Sequence, residues 1–181
     1  MKLEKIFENK DVILVGNGEN AIGYGSFIDS FECVVRFNNS IAFGIKNYDV
    51  GKKTDVWIYA MSQLKVCQEI WKRKAVDPKY IVRYGSDRVG FTNRPQYLIP
   101  QAYSKNVRKT LGLPNGKMPS TGIVTLHFLL QFCKAKSITL VGFDSFETKD
   151  YYSDNLPHPS HDGNIEKQFL LNLKEKITVY K

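Results

Sequence analysis

Two ionisable side chains near the carboxyl end of the sequence, His161 and Glu166, form the pattern His-x4-Glu. Imidazole has a reference pKa near neutrality, so His161 is a candidate general base. Glu166 is a candidate for orienting or polarising that imidazole, or for contacting a hydroxyl group of a substrate. The alternative for His161 is a surface residue that caps a helix beginning at Asp162.

A glycine turn, Gly16-Asn17-Gly18, follows an apolar run and is a candidate phosphate-binding turn. Glycines let the backbone pass close to a ligand, and the amides of a following helix can face a phosphate. The third glycine of a dinucleotide fingerprint is replaced by Ala21, and Asn38 ends the segment where a ribose-binding acid would be expected. A dinucleotide cofactor is therefore disfavoured, and a turn that only connects a strand to a helix remains the alternative.

Neutral polar groups recur after the apolar runs. The amides of Asn17 and Asn38 can donate and accept hydrogen bonds, which suits a ribose or a phosphate. Ser120, Thr121 and Gly122 place hydroxyls and free amides at the start of a helix, an arrangement suited to an anionic group. Local turn bonding explains the asparagines equally well, and helix capping explains Ser120 and Thr121.

The elements that must position these groups alternate between strand and helix. Residues 85–118 have weak periodicity and are expected to form a mobile excursion on the acceptor side of a site, and 145–161 an active-site loop. The alternation predicts an α/β fold with a doubly wound, mostly parallel sheet in a single domain over 1–181, with ligands bound at the carboxyl ends of its strands. Strands are predicted at 12–15, 32–37, 55–59, 80–84, 137–141 and 177–180, and helices at 21–30, 62–74, 123–132 and 162–173.

The composition is that of a folded globular domain, with 43% hydrophobic and 24% charged residues in 181. The 26 Lys and Arg residues exceed the 18 Asp and Glu residues by eight, which favours a nucleotide, a nucleic acid or an acidic membrane as partner. No apolar run reaches the length of a membrane helix, and the polar amino-terminal segment lacks the hydrophobic region of a signal peptide. A cytoplasmic location and buried, reduced cysteines are expected.

Several segments resemble, in order and spacing, the sialylmotifs of glycosyltransferase family 29, the sialyltransferases. Segments 15–18, 34–38 and 49–54 are similar to successive parts of the large motif, which holds the cytidine nucleotide in that family. Segment 119–123, followed by Cys133 and Gly142-Phe143, resembles the small motif. The pattern from His161 to Glu166 resembles the very small motif.

The resemblance implies a Rossmann-like, GT-A-related fold and an inverting, metal-independent glycosyltransferase. Such an enzyme moves a sialic acid, or a Kdo-like sugar acid, from its CMP donor to a glycan hydroxyl. His161 is then the base and Glu166 the motif carboxylate. No Asp-x-Asp element follows a strand, so no metal cofactor is expected. The residues expected to bind the donor are Gly16, Asn17, Gly18, Asn38, Ser120, Thr121 and Gly122.

One segment departs from the family pattern. Sialyltransferases have a His-Tyr-aromatic-Glu element where this chain has Asp150-Tyr151-Tyr152-Ser153, so the histidine that would stabilise the departing phosphate is absent. The phenols of Tyr151 and Tyr152, a solution similar to that of bacterial sialyltransferase family 42, and the imidazole of His158 are the expected replacements. The alternative is a degenerate transferase that binds nucleotide without turnover.

A further difference concerns the disulfide of secretory-pathway members of the family. Cys133 matches one partner, and Val12 occupies the position of the other. This agrees with a bacterial, cytoplasmic enzyme. For such an enzyme the expected acceptor is a cell-surface saccharide, and the basic surface is expected to contact the anionic inner membrane peripherally. An NAD(P)-type binding domain remains an alternative. A basic nucleic-acid-binding module is another, although no recognition helix or RNA-binding strand motif is present, so no nucleic-acid partner is expected.

Overall fold

A seven-stranded sheet forms the centre of the part of the chain that the structure describes. The structure is a computed structural model that describes residues 2–39, 49–74, 77–85, 92, 94–148 and 159–180. All neighbouring strands are parallel, in the order β5-β4-β3-β2-β1-β6-β7. The strands are β1 (Asp11–Val15), β2 (Cys33–Phe37), β3 (Val56–Ala60), β4 (Tyr80–Gly85), β5 (Gln96–Pro100), β6 (Ser137–Val141) and β7 (Thr178–Val179).

The strand order reverses at β1. From β1 the chain adds strands on one side as far as β5, and it then returns to place β6 against the free edge of β1, with Ile13 opposite Thr139. The central strands β2 and β3 are fully buried, which explains why their sequences are almost continuously apolar. In sheets of this kind ligands bind beyond the carboxyl ends of the strands at the reversal point.

Helices cover both faces of the sheet. The helix α4 (Thr121–Phe132) is buried along most of its length, whereas α2 (Leu64–Lys72) buries Cys67 and Ile70 against β3. None of the helices in the described segments combines the length and the apolar character that crossing a bilayer requires. The helices are α1 (Gly25–Asp29), α2 (Leu64–Lys72), α3 (Gln101–Leu111), α4 (Thr121–Phe132) and α5 (Gly163–Leu171), with 3₁₀ turns at Leu3–Ile6, Glu19–Ala21 and Met61–Gln63.

The prediction of an irregular excursion over 85–118 is wrong for its described part. Gln96–Pro100 forms the edge strand β5, and Gln101–Leu111 forms the helix α3, which packs on β4 and β5. The predicted helix at 21–30 is also shorter than expected. Gly23 takes a left-handed backbone, with φ of +92°, and divides the segment into a 3₁₀ turn and the short helix α1.

Candidate active site

A cleft opens where β1 and β6 end, at the reversal point of the sheet. Segments far apart in the sequence line it together. The catalytic role of Tyr151 and Tyr152 and the donor-binding role of His158 concern residues outside those that the structure describes. All the other residues that sequence analysis selected line this cleft: Gly16, Asn17, Gly18, Asn38, Ser120, Thr121, Gly122, His161 and Glu166.

The glycines at the reversal point serve mainly the packing of one loop on another. The Gly16 N–H donates to the Val141 carbonyl at 2.8 Å, and the Gly18 N–H donates to the Gly142 carbonyl at 3.1 Å. A Cβ atom on Gly16 would lie 2.2 Å from the Gly142 oxygen. The space that a side chain would need is therefore filled by protein. The sequence pattern had predicted that a ligand approaches the backbone at this turn; on the side of the missing Cβ atom of Gly16 the neighbour is instead Gly142.

Gly122 and Gly18 also lack a side chain where neighbouring protein atoms approach closely. A Cβ atom on Gly122 would lie 2.7 Å from the ring of Phe143, and one on Gly18 would lie 2.7 Å from the carboxylate of Asp144. The two loops that follow β1 and β6 thus pack closely on each other, and the side chain of Phe143 packs against the start of α4. This contact forms the floor of the cleft.

Asn38 has a defined orientation at the end of β2. Its backbone is left-handed, with φ of 49°, a conformation that asparagine tolerates better than most residues. Its side-chain oxygen accepts a hydrogen bond from the Ala60 N–H at 2.8 Å, and its carbonyl accepts one from the Trp57 indole at 2.8 Å. Because the oxygen is bonded to Ala60, the NH₂ group is the part of the amide that can donate to a ligand.

The three predicted donor-binding residues at the start of α4 have different roles. Ser120 is bonded to protein groups, whereas Thr121 and Gly122 present N–H groups to the cleft. Ser120 is the N-cap, and its hydroxyl oxygen accepts from the Ile123 N–H at 3.3 Å. The Ser120 N–H and hydroxyl both donate to Glu166, at 2.7 and 2.8 Å. Thr121 and Gly122 are the first residues of the helix, so no carbonyl within α4 reaches their N–H groups. These two amides are suited to an anion in the cleft.

Glu166 is a buried carboxyl group, with 3% of its surface exposed. Burial raises its pKa to about 7; the Ser120 hydrogen bonds oppose this rise, and the charge of Asp162 adds to it. Its bonds to Ser120 position the start of α4. Sequence analysis offered His161 or an acceptor hydroxyl as its contact and missed Ser120.

His161 is oriented by a hydrogen bond from one ring nitrogen. Its Nδ1 lies 2.9 Å from the Met118 carbonyl oxygen. A carbonyl only accepts, so Nδ1 carries the proton of the neutral imidazole and Nε2 carries the basic lone pair. The alternative role of helix cap is wrong for His161, because Asp162 caps α5 by accepting from the Ile165 N–H at 3.1 Å.

The segment that carries His161 is joined to the segment before α4. Lys117 Nζ donates to the Pro159 and His161 carbonyls at 2.6 and 3.0 Å, and the Met118 N–H donates to the Ser160 carbonyl at 2.8 Å. Together with the imidazole bond, these contacts form what we call the 117–161 clasp. The clasp places His161 beside the amino-terminal end of α4.

The loop after β6 adds residues that sequence analysis did not select. Asp144 and Phe146 line the cleft, and Phe146 stacks on His161. The signal available in the sequence was their position immediately after a strand next to β1, where ligand-binding loops of such sheets occur.

One part of the large-motif resemblance lies outside the cleft and has a structural role. The Asp29 carboxylate accepts the backbone N–H groups of Lys52 and Lys53 at 2.8–2.9 Å. The guanidinium of Arg36, 2% exposed, donates to the Val50 and Lys53 carbonyls at 2.6 and 3.1 Å. Arg36 therefore stabilises the 50–53 segment.

No three His, Cys, Asp or Glu side chains converge on a metal-sized site within the described segments. Among the described residues, the carboxyl groups of Asp144 and Glu166 line the cleft, and both are already hydrogen-bonded to protein groups. Asp144 accepts from the Phe146 and Thr148 N–H groups, each at 3.0 Å, and Glu166 accepts from Ser120.

Comparison with known proteins places this architecture in a family. The model of glycosyltransferase family 29 (sialyltransferase) matches residues 8–88 and 57–178. The chain belongs to glycosyltransferase family 29. This confirms the resemblance that the sialylmotif segments indicated.

The chain is similar to two vertebrate sialyltransferases, among others. The CMP-N-acetylneuraminate-beta-galactosamide-alpha-2,3-sialyltransferase 1 of Gallus gallus is 26% identical over 203 residues, which cover 97% of this chain and 59% of the relative. The corresponding sialyltransferase 2 of Mus musculus is 25% identical over 196 residues, covering 93% and 56%. The chain thus spans less than two thirds of the length of these relatives.

Solved sialyltransferase structures share the fold. A mammalian sialyltransferase in complex with Gal-beta-1-3GalNAc-ortho-nitrophenol has a TM-score of 0.69 and 22% identity, covering 99% of this chain and 72% of its own. CstII from Campylobacter jejuni, in complex with the substrate analogue CMP-3FNeuAc, has a TM-score of 0.63 and 18% identity, covering 94% and 81%. The predicted Rossmann-like, GT-A-related α/β fold of this family 29 member is confirmed.

Proposed function

We propose that this protein is an inverting glycosyltransferase that transfers a sialic acid from its CMP donor to a hydroxyl group of a glycan. The observation that carries the proposal is the state of His161. Its Nδ1 donates to the Met118 carbonyl, so the basic lone pair of the neutral ring is on Nε2, and His161 lines the same cleft as the amides of Thr121 and Gly122.

The cleft chemistry suits a donor with a phosphate and a carboxylate. The Thr121 and Gly122 N–H groups at the start of α4 and the NH₂ group of Asn38 are neutral donors that bind anions without an added charge. The excess of eight basic residues favours the approach of such a donor. A Kdo-like sugar acid shares both anionic groups, so the first donor to test is CMP-sialic acid and the second is CMP-Kdo.

In the proposed reaction the acceptor hydroxyl attacks the anomeric carbon as the bond to the phosphate breaks. His161 Nε2 takes the hydroxyl proton, and the Met118 carbonyl continues to accept from Nδ1–H in the resulting imidazolium. CMP departs with the bonding electrons, stabilised by the amides of Thr121 and Gly122. Tyr151, Tyr152 and His158 are proposed as further donors to the departing phosphate.

The proposal includes a metal-independent reaction, because a monophosphate leaving group needs less charge neutralisation than a diphosphate. It also retains a cell-surface saccharide as acceptor, a bacterial cytoplasmic location and peripheral contact with an anionic inner membrane. The basic composition and the absence of a cysteine at Val12 support these parts.

Calorimetric titration and a transfer assay test the proposal together. We expect CMP to bind and NAD⁺ not to bind, and CMP-sialic acid to be consumed in the presence of a galactose-terminated acceptor and EDTA. His161→Ala should lower turnover by about 10²–10⁴-fold and leave CMP affinity within about threefold, because a base acts mainly in the transition state.

His127→Gln is the matched control. His127 is a residue of α4 that contacts Tyr103 of α3 and Phe169 of α5; its Nδ1 is 2.6 Å from the Tyr103 hydroxyl, and it is not among the residues that line the cleft. Its turnover should equal that of the unchanged protein. Near-normal turnover in His161→Ala, or binding of NAD⁺ in place of CMP, would overturn the proposal.

A further inference from the structure

The ring of Phe146 lies flat against the imidazole of His161. The two ring centroids are 5.3 Å apart and the ring planes differ by only 7°. This is an offset stack, a favoured arrangement for two aromatic rings. The hydrogen bond from Nδ1 to the Met118 carbonyl orients the imidazole along one direction. The imidazole turns about its own Cβ–Cγ bond, and the Phe146 ring packed flat against it opposes that rotation.

Phe146 reaches this position through an unusual backbone. Ser145 and Phe146 are consecutive left-handed residues, with φ of 58° and 66°, and neither is a glycine. Such a pair persists only where the surroundings hold it. The Asp144 carboxylate supplies that restraint, because it accepts from the Phe146 N–H and the Thr148 N–H, each at 3.0 Å, and from the Thr148 hydroxyl.

Residues outside the 144–148 loop hold it and leave room for it. The Thr148 hydroxyl oxygen accepts from the Glu19 N–H at 3.0 Å, which connects the loop to the segment after β1. A Cβ atom on Gly163 would lie 2.2 Å from the Ser145 carbonyl oxygen, so glycine at the first residue of α5 is required for the loop to approach. The strained conformation is thus fixed from two sides of the cleft.

We infer that Phe146 is a positioning residue: it fixes the plane of the His161 imidazole so that Nε2 points to the acceptor hydroxyl, and Asp144 holds Phe146 in place. The inference rests on the proposed function for its kinetic consequence. The geometry of the imidazole itself is independent of any reaction. A misdirected base loses rate in the chemical step while the nucleotide still binds.

Three variants separate positioning from folding. Phe146→Leu removes the flat ring, and Phe146→Gly removes it while relieving the left-handed strain, so the glycine variant remains folded. Both should lower kcat at least about tenfold and leave the CMP dissociation constant within about twofold. Phe146→Tyr keeps the stack and should restore most of the turnover.

Phe169→Leu is the matched control. Phe169 is stacked on the other described histidine, His127, with centroids 6.2 Å apart and planes 24° apart, and it does not line the cleft. This variant removes an equivalent Phe–His stack elsewhere in the molecule. Its kcat should be unchanged.

The tautomer of His161 can be measured by NMR from the chemical shifts of its ring nitrogens, without any enzymatic turnover. In the unchanged protein His161 should show the single tautomer with the proton on Nδ1, and His161→Ala assigns the signal. Phe146→Leu and Asp144→Asn should both shift that signal towards a mixture of tautomers. Unchanged shifts and kcat in Phe146→Leu, or an equal loss of kcat in Phe169→Leu, would overturn the inference. If the unchanged protein transfers no sugar, the proposed function fails while the chemical shifts still decide the role of Phe146.

Discussion

The Glu166 carboxylate accepts two hydrogen bonds from Ser120, one from its N–H at 2.7 Å and one from its hydroxyl at 2.8 Å. This pair joins the first turn of α5 to the N-cap of α4, although the two residues are 46 positions apart in the sequence. The amides of Thr121 and Gly122, which we propose to face the donor phosphate, therefore depend on a buried acid for their position.

The stability of the protein should depend on pH through Glu166. Burial raises the pKa of Glu166 from 4.5 to about 7, so the folded protein holds this proton more tightly than the unfolded chain. The contribution to stability is fully present below about pH 4.5 and is lost as the pH rises through about 7. Between pH 5 and pH 8 the loss should be on the order of 2–3 kcal/mol.

Urea unfolding at several pH values measures this effect. Glu166→Gln should abolish most of the decline over that range, because an amide does not titrate. Glu69→Gln is the control: Glu69 is exposed, and its hydrogen bond to Lys72 lowers its pKa, so its removal leaves the slope between pH 5 and pH 8 unchanged. Equal slopes in all three proteins would contradict the assignment.

Asn38→Asp should separate nucleotide binding from stability. Aspartate still accepts from the Ala60 N–H and tolerates the left-handed backbone, so the melting temperature should change by less than about 3 °C. The NH₂ donor is lost and a negative charge replaces it, so CMP affinity should fall at least about tenfold in a calorimetric titration. Asn38→Ala should lose both affinity and stability. Unaltered affinity in Asn38→Asp would remove Asn38 from the donor site.

Two glycine substitutions should have different costs. Gly16→Ala places a methyl group 2.2 Å from the Gly142 oxygen and should destabilise by about 3 kcal/mol or more, since backbone atoms must move. Gly112 ends α3 with φ of +68° and has no atom within 4 Å of an added Cβ. Gly112→Ala should therefore cost only about 1–2 kcal/mol. Chemical denaturation measures both, and similar losses would argue against the tight contact between the loops.

The cysteines should react slowly in the native protein. Burial raises the pKa of Cys33, Cys67 and Cys133 to about 12, so very little thiolate exists at pH 8. Reaction with Ellman's reagent should be at least about 100-fold slower than in urea. Cys133 is only partly buried and should react first, so Cys133→Ser should remove the earliest phase. Immediate release of colour from native protein would refute this.

Much of the sheet was predictable because the central strands are buried on both faces and therefore continuously apolar. The β5–α3 unit was not, since polar residues occupy a half-buried position of β5 and a buried position of α3. Gln96 accepts from the Tyr59 hydroxyl at 2.8 Å, and the fully buried Ser104 donates to the Gln101 carbonyl at 2.8 Å. Polar side chains that satisfy their bonds internally interrupt the hydrophobic period on which such predictions depend.

The sequence predicted that the site lies at the carboxyl ends of the strands, and it predicted the motif residues that line it. The partner of Glu166 and the ring that stacks on His161 were not, because both relationships arise from packing between distant segments. The roles of Tyr151, Tyr152 and His158 stay predictions. Sequence analysis also treated Gly16 as room for a ligand, whereas only the path of the second loop shows that its neighbour is Gly142.

The 117–161 clasp has a consequence for how this fold can diverge. Residues 149–158 lie between Thr148, which is bonded to Asp144, and the clasp, which holds Pro159, Ser160 and His161. Both anchors are bonded to residues outside that stretch, so the orientation of His161 is set separately from the length of the chain between them. Insertions and deletions there would change the surroundings of Tyr151, Tyr152 and His158 and leave the imidazole bond to Met118 intact.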